Sequence, residues 1–112
     1  MSKRSVRNRM ASAALVFAAL GDPTRLALVE RLARAGPAPI TLLADSFSLT
    51  RQGVTKHLYV LASAGIVDGR RQGREHVWAL NPDRLAEARQ HLDVIARGWD
   101  DVLARLKRHL ES

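Results

Sequence analysis

Between residues 50 and 80 the apolar period changes once, at Gly65. Upstream, TRQGVTKHLYVLASA places Val54, Leu58 and Leu61 at the spacing of one helical face. Downstream, residues 66–80 alternate, and Gln72-Gly73 supplies a hairpin turn pairing residues 66–71 with residues 74–80. A turn at Asp68-Gly69 would pair only two residues on each side and bury little, so the longer ribbon is expected. The sequence therefore predicts a helix that leads directly into a two-stranded antiparallel ribbon. A lone hairpin is marginal in water, so the rest of the chain must give it a body to pack on.

That body reads as helical. Residues 11–20 form a first short helix ended by Gly21, and Asp22 caps a second with Pro23 at its first position. Leu26, Val29, Leu32 and Ala33 give this helix an apolar face as far as Ala35, before Gly36 and Pro37 close it. Pro39-Ile40 is short and extended. Thr41 caps a third helix over residues 42–47, and Thr50 caps the fourth, which runs to Ala64. Asn81-Pro82 ends the ribbon, and a long helix follows to about Leu110. The fold class is mainly α with a small β ribbon, in the order α-α-β-α-α-β-β-α. Two short helices joined by a tight turn, then a ribbon, make a winged helix-turn-helix.

Charge narrows the function. The net charge is +7 over 112 residues. Residues 1–49 hold seven basic side chains against three acidic, residues 50–80 five against two, and residues 81–112 six of each. The excess sits in the first residues, at Lys3, Arg4, Arg7 and Arg9, and around the helix and ribbon. A polyanionic partner follows, and nucleic acid leads. Residues 1–10 read as a basic tail and residues 11–112 as the domain. KRSVRNR followed by MASAALVFAAL has the layout of a short secretory signal. The apolar run is at the short end for one and passes straight into another helix, so a cytoplasmic protein is expected. No stretch approaches the ~18 apolar residues of a membrane span. With no cysteine, the chain has no disulfide, thiolate metal site or Cys nucleophile.

Three stretches, ALGDPTRLALVERL, LTRQGVTKHLYVLASAGIV and RRQGREHVWAL, resemble the ArsR/SmtB family of bacterial winged-helix repressors. The resemblance covers about residues 13–110 and keeps the order and spacing of all three. It implies a repressor of double-stranded DNA, and the helix over residues 50–64 as its reader. Thr50, Arg51, Gln52, Thr55, Lys56 and Tyr59 are expected to face DNA. Arg51 and Gln52 suit bidentate base contacts, Thr55 a thymine methyl or a phosphate, and Lys56 a phosphate. Arg70, Arg71 and Arg74, with Gln72 at the tip, are expected to touch phosphates or a minor groove. His57 has a packing or a phosphate role. Gly53 departs from the family pattern at a cost near ~1 kcal/mol relative to Ala. It either lets the backbone approach DNA or is simply tolerated.

The family's sensor sites are not matched. Its paired thiolates would fall near Pro39 and Thr41. On the last helix, His91, Asp93, Asp101, His109 and Glu111 lack the Asp-x-His and His-x-x-Glu spacing, and His91 and Asp93 diverge on a helix. No metal or cofactor is expected, and an effector stays unidentified. Leu85, Ala88, Leu92, Ile95, Trp99, Val102, Leu106 and Leu110 form a sustained apolar seam. Since the family pairs its first and last helices across a two-fold axis, Phe17, Leu20, Leu92, Ile95, Trp99, Val102 and Leu106 are the expected homodimer contacts. A homodimer in turn implies an inverted-repeat operator. A winged helix used for protein assembly is the rival, but this wing is basic. An enzyme is the third alternative, and no compact constellation of carboxylates and histidines supports it.

Overall fold

The computed structural model describes residues 2–112. Helix α1 spans Lys3–Leu20, α2 Pro23–Ala35, α3 Ile40–Ser46 and α4 Arg51–Ser63. Strand β1 is Ala38–Pro39, β2 Val67–Gln72 and β3 Glu75–Leu80; α5 spans Pro82–Glu111. The order matches the one expected from the sequence. Four details differ.

First, the basic segment is helical rather than a tail: α1 starts at Lys3, with the Ser2 hydroxyl accepting from the Ser5 N–H. Second, α3 starts at Ile40 with Pro39 as its cap, not at Leu42 behind Thr41. Third, α2 buries Leu28, Val29 and Leu32, while Leu26 and Ala33 are exposed. The helix has rolled so that two adjacent residues share the inner edge of the stripe. Fourth, the ribbon is part of a three-stranded sheet in the order β1-β3-β2. Ala38 pairs with Trp78 and Pro39 with Val77. Proline is tolerated there because β1 is an edge strand.

The core gathers Val16 and Ala19 of α1, the buried face of α2, Leu43, Val54, Leu58, Leu61, Ile66, Val67 and Trp78. Each fully buried Leu, Ile or Val contributes ~1.5–3 kcal/mol relative to exposure. Helix α5 enters this core only through Ala88, with Leu85 half-buried beside it. Over the rest of its 30 residues its apolar seam faces solvent in the protomer. Helices α1 and α2 meet at 98°, and among the described residues no single helix is long and apolar enough to cross a membrane.

Candidate nucleic-acid interface

Helix α4 follows α3 through the short turn 47–50, where Ser48 takes a left-handed φ of +52°. The Thr50 hydroxyl accepts from the Gly53 N–H at 3.0 Å, which satisfies one of the helix's unpaired first-turn donors. Val54, Leu58 and Leu61 are completely buried, so the helix cannot rotate without emptying the core. Arg51, Gln52, Lys56 and Tyr59 are exposed on the opposite side, with Thr55 half-buried among them. Thr55 donates its hydroxyl proton to the Arg51 carbonyl at 2.6 Å, leaving its methyl group and an acceptor lone pair for another partner. Val60 and Ser63 are also exposed and lengthen the stripe past Tyr59. A Cβ at Gly53 would meet only the capping Thr50 hydroxyl, at 3.2 Å, a tight contact that a side chain there would relieve only by shifting the cap a few tenths of an ångström.

The DPTR stretch anchors this helix. Asp22 caps α2 by accepting from the Arg25 N–H at 3.0 Å. The Arg25 side chain reaches back to the Ala19 carbonyl at 2.6 Å, pairing one of the carbonyls that the end of α1 leaves open. His57 of α4 lies with Nδ1 3.9 Å from the Asp22 carboxylate. It therefore links α4 to the α1–α2 corner. The Arg25 N–H holds the Asp22 carboxyl below the usual range, and the charges of Arg25 and His57 act in the same direction. A folded-state pKa that is lowered gives stability present above the ordinary carboxylate range. That stability is lost as pH falls through the lowered value.

The ribbon turns at Gly73-Arg74, one residue beyond the expected centre, since Gln72 pairs with Glu75. Arg74 is therefore the tip residue, and Gln72 is the last residue of β2. Gly73 has φ +62°, and Arg74 is not in the left-handed region, the pattern of a type II′ turn. Arg70 pairs with Val77 and Arg71 with His76, so the two arginines point to opposite faces of the ribbon. Arg71 shares the face of His76 and Trp78, the side nearer α4. Arg70 and Gln72 share the other. All four side chains, Arg74 included, are exposed.

Trp78 joins ribbon to helix, and sequence reasoning missed it. It is buried, and the Tyr59 ring meets it edge-on with centroids 6.2 Å apart. The His76 ring lies over it at 4.6 Å. Gly69, directly across from Trp78, makes room: a Cβ there would sit 2.5 Å from His76 Nε2 and 3.0 Å from the indole. A glycine inside a strand marks such a close approach, and that was the available signal.

Of the expected dimer contacts, Leu92, Ile95, Trp99, Val102 and Leu106 are exposed on α5. Phe17 and Leu20 are half-buried and pack against the core. Val6, Met10 and Leu15 are the exposed large apolar residues of α1. Among the described residues no three His, Asp or Glu side chains converge as metal ligands would. Pro39 and Thr41, at the β1–α3 junction, offer no thiolate.

Residues 20–70 match a family described as a helix-turn-helix domain. The chain is 39% identical to the HTH-type transcriptional regulator Rv2034 of Mycobacterium tuberculosis, over 84% of each chain. It is 32% identical to the HTH-type transcriptional repressor SmtB of the same species, over 87% of this chain and 70% of that one. A solved ArsR-like transcriptional regulator from Rhodococcus sp. RHA1 superposes with a TM-score of 0.72 at 34% identity, covering 88% of this chain and 92% of that one. Together with the helix, ribbon and corner just described, these likenesses place the chain: it belongs to the ArsR/SmtB family of winged helix-turn-helix transcriptional regulators.

Proposed function

We propose that the protein is a cytoplasmic, homodimeric repressor that binds an inverted-repeat operator and has no enzymatic activity. Helix α4 enters the major groove, and the wing meets the backbone or the adjacent minor groove. The observation that carries this reading is the division of α4. One face is locked into the core, and the other offers Arg51, Gln52, Lys56 and Tyr59 beside a ribbon bearing Arg70, Arg71 and Arg74. A helix fixed in that way can hold side chains in register with base edges. The α5 seam supports the dimer, since monomeric proteins rarely leave so long an apolar stripe uncovered. Two-fold symmetry would set two reading helices one DNA turn apart, ~34–36 Å. The relative named a repressor supports repression.

Footprinting on the protein's own promoter tests this, together with a mutant series. Gln52→Ala is expected to relax sequence preference, by ~1–3 kcal/mol for a lost bidentate contact. Lys56→Ala is expected to weaken all sequences alike and lower the slope of affinity against salt by about one phosphate contact. If neither change alters operator affinity, α4 is not the reader.

The wing is tested separately. Arg70→Ala with Arg74→Ala is expected to weaken operator binding and flatten its salt dependence, with little change in thermal stability, because both side chains are exposed. A double variant that melts early yet keeps full affinity while folded would assign these arginines to the fold instead.

A further inference from the structure

If α4 lies in the major groove and the wing reaches the adjacent minor groove, the sugar-phosphate backbone dividing the two grooves must pass between them. The corner between α4 and the ribbon is therefore where a phosphate comes closest to both. Its lining is aromatic and basic. Tyr59 of α4 stands exposed and edge-on to Trp78. Arg71 and His76 are cross-strand partners on the same side of the ribbon as Trp78. The two carboxylates of the ribbon, Asp68 and Glu75, lie on its opposite face, and α4 has none. Of the other elements that meet β3, α2 carries Arg25, Arg31 and a Glu30–Arg34 pair at 3.8 Å. Helix α3 carries the exposed Asp45, and β1 carries no charge.

His76 is oriented in this corner but has no polar partner within the protomer. Its ring lies against Trp78, tilted by 33°, and over Gly69, where only a residue without a Cβ leaves room for it. Stacking fixes the ring plane. Yet the imidazole makes no hydrogen bond among the described residues, and neither nitrogen is closed off from solvent. Arg71 likewise pairs with no carboxylate among them. A half-buried, oriented donor beside an unpaired guanidinium suits an anion that arrives from outside.

We propose that His76, with Arg71 and Tyr59, forms a site for one backbone phosphate of DNA between α4 and the wing, and that His76 takes up a proton from solvent as the phosphate binds. The imidazolium then donates to a phosphate oxygen in a charge-assisted hydrogen bond, stronger than the one neutral imidazole offers. Trp78 beneath the ring adds a cation–π contact to the charged form. The complex holds more protons than the free protein. Operator affinity therefore rises as pH falls through the range where histidines titrate, pH ~5–8. This site rests on the DNA-reading role proposed for α4 and the wing.

The test measures operator affinity of the full chain at pH 6 and pH 8, at fixed ionic strength and then across a salt series. The parent is expected to bind about tenfold tighter at the lower pH. Its salt dependence should also be steeper there, because each protonated His76 neutralises one more phosphate. His76→Gln, which keeps a neutral donor, should bind alike at both pH values and at the weaker level. His76→Lys, which carries a permanent charge, should also bind alike at both, but at the tighter level. His57→Gln is the control, since His57 is the other histidine that α4 carries and sits beside Asp22. It should keep the parent's pH ratio. A His76→Gln variant that binds more weakly with the parent's ratio intact would make the ring a mere prop for the wing and overturn the proposal. So would a ratio abolished by His57→Gln. Should His76→Gln not fold, the salt slopes of the parent and of His57→Gln at the two pH values decide, and equal slopes overturn the proposal. A parent that binds equally at both pH values overturns this site and leaves the DNA-reading role standing. One that binds no operator at either pH removes both.

Discussion

Trp99→Ala is expected to leave the protomer folded but to cost the dimer ~2–4 kcal/mol, the range of a tryptophan at the centre of an interface. The indole is 62% exposed in the protomer, so truncating it removes little from the protomer's own core. Ile95 and Val102 lie four residues before and three residues after it on the same face, both exposed, so it sits mid-seam. Every tenfold loss of affinity corresponds to ~1.4 kcal/mol, so the dimer constant should rise by about one to three orders of magnitude. Operator binding should fall with it, because one α4 reads only half an inverted repeat. Sedimentation equilibrium and gel-shift titration measure the two effects. A parent chain that is monomeric at tens of micromolar would remove the dimer from the proposal. So would a monomeric variant that still binds the full operator normally.

The largest effect on the fold itself is expected at Trp78. Truncation to alanine should destabilise the protein by ~3–5 kcal/mol, the usual cost of emptying a buried aromatic site. Trp78 contacts Tyr59 of α4, stacks with His76 and pairs across the sheet with both Ala38 and Gly69. A domain of this size holds only ~5–15 kcal/mol of net stability, so the variant should lie near the edge of folding. Trp78→Phe keeps an aromatic ring against Tyr59 and should lose much less. The indole Nε1 is buried without a hydrogen-bond partner among the described residues, so phenylalanine forfeits no polar contact. Urea titration of both variants measures the difference. A loss below ~1 kcal/mol in the alanine variant would mean the site collapses and Trp78 does not brace the wing. In the phenylalanine variant, a wing that keeps its salt-dependent contribution to operator binding would agree with the bracing role.

Element order was legible because each boundary has a local cause. Asp22 and Thr50 cap with their own side chains, Gly65 and Gly73 take positive φ where the chain turns, and Pro82 opens α5. The exposed polar stripe of α4 was legible too, since Val54, Leu58 and Leu61 define its opposite face at helical spacing and all three are buried. Helix starts were less so. Residues 3–10 are mostly basic and polar, with Val6 and Met10 their only large apolar residues and both exposed, yet they continue α1, because helix propagation needs no buried face once a nucleus exists.

What periodicity cannot supply is which partner each apolar face meets. The α5 seam reads as core or interface alike, and only tertiary packing shows that one protomer covers Ala88 and Leu85 and leaves Leu92 to Leu110 exposed. Phe17 and Leu20, expected at that interface, are half-buried against the core of their own chain, which their spacing alone does not tell. The junction of Trp78, His76, Gly69 and Tyr59 joins residues far apart in the chain. Such contacts depend on how whole elements pack. The sequence by itself determined the elements, their order and the charged face of α4, because caps, turns and periods act within a few residues. Tertiary structure alone decided how the wing is braced and which seam stays open, because those follow from side-chain volumes meeting across elements.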